Sequence, residues 1–385
     1  MNIVAMAMPT YAYVDPTYFG GAEGADRLAW GLAYVFADGK MRALFSMLFG
    51  ASLLIVTDAA EGRTPGPARA HYARMAVLLG FGMIHAWLIW YGDILFEYAL
   101  GGMLVFVARK WPPSALIYAI LLLIGWEALH DLISWRDLSI LQQIATGPNA
   151  PADAVREWQK VVDEATPYAD LITEEIRLYR GGFGEVFAAR APMTMLFQSV
   201  LTINALPATM GFMGLGMLLF RLGFWAGAWR RRTYAGLVAA GAAALVLHVP
   251  LAAAILAHDF DPAFLPLADL LSLLLRPFVA TGYAASIILL VRAGALEWLI
   301  DRLAAAGRMA FSNYLGTSLI MTTIFYGYGL GQFGQWSRAE LYWIVLAQCL
   351  AMLILSKPWL AHFRYGPLEW AWRSAARGAL QPMSR

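Results

Sequence analysis

The chain has 385 residues, of which 60% are hydrophobic and only 14% charged, whereas soluble globular proteins average about 45–50% apolar and about 25% charged residues. This composition excludes a soluble single domain, and a formal net charge of +2 gives no indication of a nucleic-acid partner. The only cysteine, Cys349, excludes an intramolecular disulfide.

Nine apolar stretches, each long enough to cross a hydrocarbon layer of about 30 Å as a helix, follow one another along the chain. We predict membrane spans near residues 41–57, 74–91, 94–109, 114–133, 194–220, 234–257, 265–291, 309–326 and 338–356. Residues 1–10 are apolar but too few to cross, so we expect a truncated or partial helix there. The predicted fold class is all-α, a polytopic transmembrane helical bundle with about nine full spans.

Basic residues are concentrated in alternate connections between these spans. They are Arg63, Arg69 and Arg74 after the first span, Arg109 and Lys110 after the third, Arg221 and Arg230 to Arg232 after the fifth, Arg292, Arg302 and Arg308 after the seventh, and Lys357, Arg364, Arg373 and Arg377 after the ninth. The positive-inside rule assigns all five connections to the cytoplasm. The amino end is then predicted outside and the carboxyl end in the cytoplasm.

Residues 134–190 are the only sizeable polar excursion within the predicted single membrane domain, 1–385, and their acidic residues outnumber the basic ones. Between Asp153 and Tyr179 the apolar residues recur at helical spacing, which indicates amphipathic helices. We therefore predict a small extracytoplasmic cap inserted between the fourth and fifth spans. Residues 357–385 mix tryptophan with arginine, which is typical of a cytoplasmic interfacial tail.

Three ionisable residues surround the tight turn between the second and third predicted spans. A charge at membrane depth costs about 2.5–3.5 kcal/mol, so each one needs a partner or a function. Asp93 follows Gly92 and is predicted to cap the next helix, whereas Glu97, one turn deeper, needs a cation or a proton. His85 is either a core histidine bonded to a carbonyl or a general base that titrates near neutrality.

Other charged residues allow a structural and a functional interpretation. Lys40 and Arg42 either snorkel to the interface or bind a partner such as Asp38, Glu97 or an anionic ligand. Asp269 and Arg276, seven residues apart in one predicted helix, form either a buried ion pair or a site for an anionic substrate.

Glu127, His130 and Asp131 are expected near an outer helix end, at the interface. Gly327, Gly329 and Gly331 are expected to allow a tight outer turn with close backbone approach.

Recognised catalytic and metal-binding motifs give no further guidance. The six histidines are scattered, with no HExxH pattern and no cysteine pair, so we expect no metal. Because the chain also has neither a Walker loop nor a GxSxG elbow, the sequence gives no support for an ATPase or hydrolase.

Several runs resemble the YeiB family of bacterial inner-membrane proteins, which are largely catalogued as a domain of unknown function. These runs are LFSMLFG at 44–50, the stretch from His85 through WYGDIL at 90–95 to Leu100, residues 307–315, residues 325–331, and FRYGPLEW at 363–370 continuing to Arg373. The resemblance covers nearly the whole chain except 134–190, and it implies a multi-pass protein of the bacterial inner membrane.

The family is distantly similar to a superfamily of transmembrane acyltransferases that includes heparan-α-glucosaminide N-acetyltransferase. That similarity implies acyl-coenzyme A as a co-substrate, with no permanently bound cofactor. Family members usually begin with a complete first helix that ends near Asn-Ile, and Asn2 matches that asparagine. Acyltransferases of the superfamily use an early histidine, whereas the first histidine of this chain is His71.

Two functional hypotheses follow. In an acyltransferase, His85 would deprotonate the acceptor, Asp93 or Glu97 would orient it, and Asn2 or Asn313 would polarise the thioester carbonyl. In the alternative, a transporter or lipid-handling protein, a pathway would be lined by His85, Glu97, Asp269 and Arg276. The substrate-binding residues that we predict are Asn2, Lys40, Arg42, Asp269, Arg276 and Asn313. The expected partners are membrane lipid and a small-molecule or glycan acceptor, and a homodimer through residues 211–216 is left open.

Overall fold

The computed structural model describes residues 2–64 and 66–385, and it confirms the predicted all-α fold. The helices are α1 Ile3–Ala7, α2 Tyr11–Val14, α3 Gly24–Phe36, α4 Lys40–Ala59, α5 Pro67–Ile84, α6 Leu95–Val105, α7 Pro113–Ala145, α8 Ala152–Ala165, α9 Ala169–Tyr179, α10 Phe183–Leu196, α11 Thr202–Arg221, α12 Arg231–Ala257, α13 Leu265–Arg292, α14 Glu297–Arg308, α15 Ala310–Phe325, α16 Arg338–His362 and α17 Pro367–Arg377. A π-helical turn, His85–Ile89, continues α5, and a second one, Phe197–Leu201, joins α10 to α11.

Within the described residues, seven helical stretches are long and apolar enough to cross a membrane. They are Gly24–Ala59, Pro67–Ile89, Pro113–Ala145, Phe183–Arg221, Arg231–Ala257, Leu265–Arg292 and Arg338–His362. The other two predicted spans correspond to the shorter helices α6 and α15. With 16 residues, α15 rises about 24 Å, less than the hydrocarbon thickness of about 30 Å.

Helices α4 and α11 pack with their backbones in close contact at the centre of the bundle. A Cβ atom at Gly50 would collide with the carbonyl of Met213, and one at Gly216 would collide with the carbonyl of Met47. Residues 211–216 are almost entirely buried within the chain. That stretch is therefore unavailable as a dimer surface, and the homodimer itself stays a prediction.

Helix α3 precedes the first predicted span and was not predicted. The chain turns between α3 and α4 at Gly39, whose φ is +69°. A Cβ atom at this position would lie 2.6 Å from Nε of Arg276. Glycine is needed here both for the left-handed backbone and for the space that the arginine occupies.

The polar segment contains helices α8 and α9, and α7 extends as far as Ala145, beyond the predicted end of its span. Thr10 connects the amino-terminal segment to α9, because its N–H and hydroxyl donate to Oε1 of Glu175 at 3.0 and 2.7 Å. Burial raises the pKa of the Glu175 carboxyl, and the bonds from Thr10 oppose that rise. The position of this segment outside the cell stays a prediction.

The glycine-rich turn after α15 closes the same end of the bundle. The N–H of Gly327 donates to the carbonyl of Tyr179 at 2.8 Å, and a Cβ atom at Gly327 would collide with the carbonyl of Arg180. Gly331 has a φ of +65°. The predicted tight turn and close backbone approach are confirmed.

Candidate functional site

A cavity of about 420 Å³ lies among α4, α6, α7, α11 and α13. It is lined by Arg42, Gly92, Asp93, Ile94, Glu97, Trp126, Glu127, His130, Asp131, Phe197, Leu201, Thr202, Asn204, Ala205 and Asp269. Among these lining residues there are five carboxylates and one guanidinium, so the cavity is acidic. Four of the predicted site residues, Arg42, Asp93, Glu97 and Asp269, meet in its wall.

His85 and Asp93 form a buried hydrogen-bonded pair beside this cavity. Nδ1 of His85 lies 2.7 Å from Oδ1 of Asp93, and their side chains are 0% and 1% exposed. The other oxygen, Oδ2, accepts the N–H of Phe96 at 2.7 Å, which confirms that Asp93 caps α6. Because a carboxylate only accepts, Nδ1 of His85 carries a proton, and in the neutral imidazole Nε2 is then the acceptor nitrogen. Nε2 has no hydrogen-bond partner among the described residues.

The π-helical turn that carries His85 is held by Arg190 of α10, which is 0% exposed. The Arg190 guanidinium donates to the carbonyls of Ile89 and Trp87 at 2.5 and 2.7 Å. These carbonyls end a helix and have no intrahelical partner, and the negative end of the helix dipole favours a cation there. Arg190 therefore fixes the backbone on which the histidine is mounted.

Sequence reasoning missed Arg190, although one signal was available. Residues 188–194 are apolar or small apart from this arginine and the following Thr194. A lone arginine at membrane depth needs a partner. Its partners are two backbone carbonyls, and no sequence pattern indicates such acceptors.

Glu97 is buried, with 7% exposure, and Oε1 accepts the hydroxyl of Thr209 on α11. Arg42 of α4 lies within electrostatic range of both Glu97 and Glu127. Arg42 therefore places a positive charge near Glu97, which was predicted to need a cation or a proton. Thr209 was not predicted.

Lys40 lies away from the cavity and is 0% exposed, so the snorkelling interpretation is wrong for this residue. Its Nζ donates to the carbonyl of Tyr34 at 2.5 Å and lies 4.8 Å from the centre of the Tyr34 ring. The reason is the unpredicted helix α3, which covers the side chain. A substrate-binding role for Lys40 has no support from this position.

Helix α7 changes the interpretation of three residues that were expected at a helix end. Because α7 continues to Ala145, Glu127, His130 and Asp131 lie in the cavity wall instead. Arg276 takes its nearest carboxylate from this helix, with Nη1 3.9 Å from Oε1 of Glu127. The expected helix end was therefore wrong, whereas the interfacial position stays a prediction, and Arg276 pairs across helices rather than with Asp269.

The two predicted asparagines lie outside the cavity lining in the described part of the chain. Asn2 immediately precedes α1. Nδ2 of Asn313 donates to the carbonyl of Ala306 at 3.0 Å and contacts Oγ of Ser356 at 3.3 Å. Neighbouring helical residues point about 100° apart, so the adjacent Tyr314 faces His85, with ring centres 5.1 Å apart, while Asn313 faces α14 and α16.

Within residues 2–64 and 66–385, no group of three or more histidine, cysteine, aspartate or glutamate side chains is arranged to hold a metal ion. The cavity instead combines fixed charges with aromatic and apolar walls. Such a site suits an organic ligand with polar groups.

The helices and the buried charged cavity define a polytopic membrane protein of the helical-bundle class. Residues 219–379 match the family model described as "Protein of unknown function (DUF418)". The chain is 31% identical over 372 residues to the "Uncharacterized protein YxaH" of Bacillus subtilis (strain 168), with 94% of this chain and 85% of that protein covered.

It is also 31% identical over 391 residues to the "Uncharacterized protein YeiB" of Escherichia coli (strain K12), with 99% of this chain and 93% of that protein covered. The chain therefore belongs to the YeiB family, as the sequence motifs predicted. No solved structure matches it.

Proposed function

We propose that this protein is a membrane-embedded acyltransferase that moves an acyl group from acyl-coenzyme A to an envelope or membrane-embedded acceptor. The observation that supports it best is the buried His85–Asp93 pair beside the acidic cavity. A histidine oriented by a carboxylate through one nitrogen, with the other nitrogen free, is the arrangement that general-base catalysis needs.

In the proposed reaction, Asp93 keeps the proton on Nδ1 of His85. Nε2 takes a proton from the amine or hydroxyl of the acceptor as that atom attacks the thioester carbonyl carbon. The carbon–sulfur bond breaks, and the coenzyme A thiolate takes the proton from the imidazolium. General-base assistance of this kind is worth about 10²–10⁴ in rate.

The cavity wall favours a particular class of acceptor. Its excess of carboxylates suits an amine or a polyhydroxyl compound better than an anion. Trp126 in the wall is 63% exposed, so the cavity reaches the perimeter of the bundle. Trp126 lies about 20 Å along α7 from Pro113, within the depth of a bilayer. This lateral access suits an acceptor held in the membrane.

The orientation in the membrane is part of the same proposal. Because basic residues cluster at alternate connections, we place the protein in the bacterial inner membrane with its carboxyl end cytoplasmic and residues 134–190 extracytoplasmic. Reporter fusions after Glu174 and after Arg377 test this. Activity of a cytoplasmic reporter at Glu174 would contradict it.

The direct experiment incubates purified protein with radiolabelled acyl-coenzymes and cell-envelope extract. We expect label transfer by the wild type and a loss of at least 100-fold in His85→Gln. His258→Gln, at an exposed position outside the cavity, is the matched control and should transfer normally. Equal transfer by both variants would contradict the proposed role of His85.

The cavity also supports a second candidate, a transporter or lipid-handling protein. Clustered carboxylates at membrane depth are typical of proton- or cation-coupled pathways. In that case the purified protein would bind envelope components, or carry them across vesicles, without transferring label. Binding or flux without turnover would favour this candidate over acyl transfer.

A further inference from the structure

We infer that Arg74, Arg373 and Arg377 form a binding site for a phosphate-bearing anion. This site is separate from the acidic cavity, since Arg74 precedes His85 by eleven residues, about 16 Å along the helix. The inference goes beyond the proposed function and does not depend on it.

Packing of α17 against α5 builds the site. The indole Nε1 of Trp372 donates to the carbonyl of Arg74 at 2.9 Å, and the Arg74 guanidinium lies 4.7 Å from the centre of the Trp372 ring. Leu368 and Trp372 pack against the apolar cluster that contains Met75 and Leu78. Arg74 is therefore held by both its backbone and its side chain.

The other two cations come from α17 itself. Arg373 lies with its guanidinium 4.7 Å from the centre of the Tyr365 ring. Arg377, one turn further on, is exposed and donates to Oε1 of Gln381 at 2.5 Å. Both residues lie within electrostatic range of Arg74, and Trp372, the neighbour of Arg373, contacts Arg74 directly, so three like charges lie close to the contact between α5 and α17.

The carboxylate that would normally neutralise Arg373 is engaged elsewhere. Glu369 stands four residues before Arg373, the spacing of a helical ion pair. Its Oε1 instead accepts the N–H groups of Phe311 and Ser312 at 2.7 and 3.0 Å, and its Oε2 accepts the Ser312 hydroxyl. Glu369 thus caps α15 and leaves the arginine unneutralised.

No carboxylate in the described chain forms an ion pair with any of the three arginines. The contrast is with Arg109 and Lys110, which lie 3.2 and 2.9 Å from the Glu61 carboxylate. A half-buried cluster of like charges with no carboxylate bound to it attracts an anion from outside the chain.

Phosphate is the anion that suits this cluster best. A guanidinium stacked on an aromatic face keeps its N–H edge free, and that edge binds two phosphate oxygens at once. Because Arg74 and Arg373 are half-buried, screening by water and salt is weaker than at a fully exposed site. A phospholipid headgroup and a soluble diphosphate both supply this chemistry.

The experiment measures binding by the purified full-length protein in neutral detergent, by native mass spectrometry and by ligand-induced change in thermal unfolding. The probes are dioctanoyl phosphatidylglycerol, dioctanoyl phosphatidylcholine and inorganic pyrophosphate. The variants are Arg74→Gln and Arg373→Gln, and the matched control is Arg231→Gln at the start of α12.

We expect phosphatidylglycerol, pyrophosphate or both to bind the wild type and the control, and each of the two variants to bind at least tenfold more weakly. Binding of phosphatidylglycerol alone would identify a lipid headgroup, and binding of pyrophosphate without lipid would identify a soluble ligand. Binding of neither probe, or equal binding by wild type and variants, would overturn the inference.

Two further variants keep the test decisive if Arg74→Gln fails to fold. Arg373→Lys keeps the charge but loses the planar fork, so we expect weaker binding at unchanged stability. Arg377→Gln alters an exposed residue and should weaken binding severalfold. Because the readout is binding, this test can fail while acyl transfer is confirmed, and the reverse is equally possible.

Discussion

Two charged regions lie along α5 and the π-helical turn that continues it, one around His85 and one around Arg74. They differ in how their charges are neutralised. Around His85, the histidine, Asp93 and Arg190 are buried and bonded to one another or to backbone. Around Arg74, arginines from α5 and α17 lie close together, and no carboxylate of the described residues forms an ion pair with them.

This difference separates two uses of charge in an apolar bundle. A charge satisfied within the chain fixes a backbone or a side chain in place, and so prepares a site for chemistry. A cluster left unsatisfied instead favours a ligand from outside. Removing one member should therefore destabilise the first region and weaken binding at the second.

The largest expected effect comes from Arg190→Met, which tests whether the first region is held from within. The substitution leaves the Ile89 and Trp87 carbonyls unpaired in the core, so we expect a loss of about 2–5 kcal/mol in stability. Thermal unfolding in detergent measures it. The control Arg156→Met alters an exposed arginine of α8 and should change stability by less than about 0.5 kcal/mol. Equal stability of the two variants would show that Arg190 is not needed.

Asp93→Asn sharpens the comparison by keeping shape while removing charge. Asp93 uses one oxygen for the Phe96 N–H and the other for Nδ1 of His85, whereas asparagine has a single oxygen. With that oxygen on the Phe96 N–H, the amide NH₂ faces Nδ1 and cannot accept its proton, so we expect label transfer to fall at least 100-fold with the fold retained. Circular dichroism measures the retained fold, and the transfer assay measures the activity. Asp137→Asn, at an exposed position of α7, should behave as the wild type. Full transfer by Asp93→Asn would remove the proposed role of the pair.

Glu369→Gln tests the second region from the opposite side. Loss of the charged cap at the start of α15 should cost about 1–2 kcal/mol. Because Glu369 does not neutralise Arg373, we expect binding of phosphatidylglycerol to stay within twofold of the wild type. Glu340→Gln, which removes the exposed acid at the start of α16, is the control and should cost less. A marked gain in anion binding by Glu369→Gln would show that the two residues are paired.

The smallest effect is expected at Glu175, which connects α9 of the polar segment to Thr10. Burial raises the pKa of this carboxyl in the folded protein, so the folded state binds the proton more tightly than the unfolded state. Glu175 therefore stabilises the fold below the pKa of the unfolded state, and this stabilisation is lost as pH rises through the pKa of the folded state. We expect Glu175→Gln to flatten the fall in melting temperature above about pH 4.3. An unchanged slope would contradict this.

Sequence reasoning found charges more easily than it found their partners. His85, Asp93, Glu97 and Asp269 were identifiable because ionisable residues in apolar stretches are expensive. The structure brings the three carboxylates into one cavity wall, with His85 bonded to Asp93 beside it. The end of α7 was placed too early because its polar continuation beyond residue 133 looks like a loop. Arg190 and Lys40 bind backbone carbonyls, and those acceptors belong to every residue alike.

The measurement that tests the acidic cavity most directly is the labelling of introduced cysteines, which is simple because the chain has a single native cysteine to replace. In a Cys349→Ser background, Asn204→Cys in the cavity wall and Thr64→Cys at an exposed position are modified by cationic and by anionic methanethiosulfonate reagents of similar size. At each position we compare the rate with the cationic reagent to the rate with the anionic reagent. The acidic cavity predicts that this ratio is about tenfold higher at Asn204→Cys than at Thr64→Cys. Equal ratios at the two positions, or no reaction at Asn204→Cys, would contradict it.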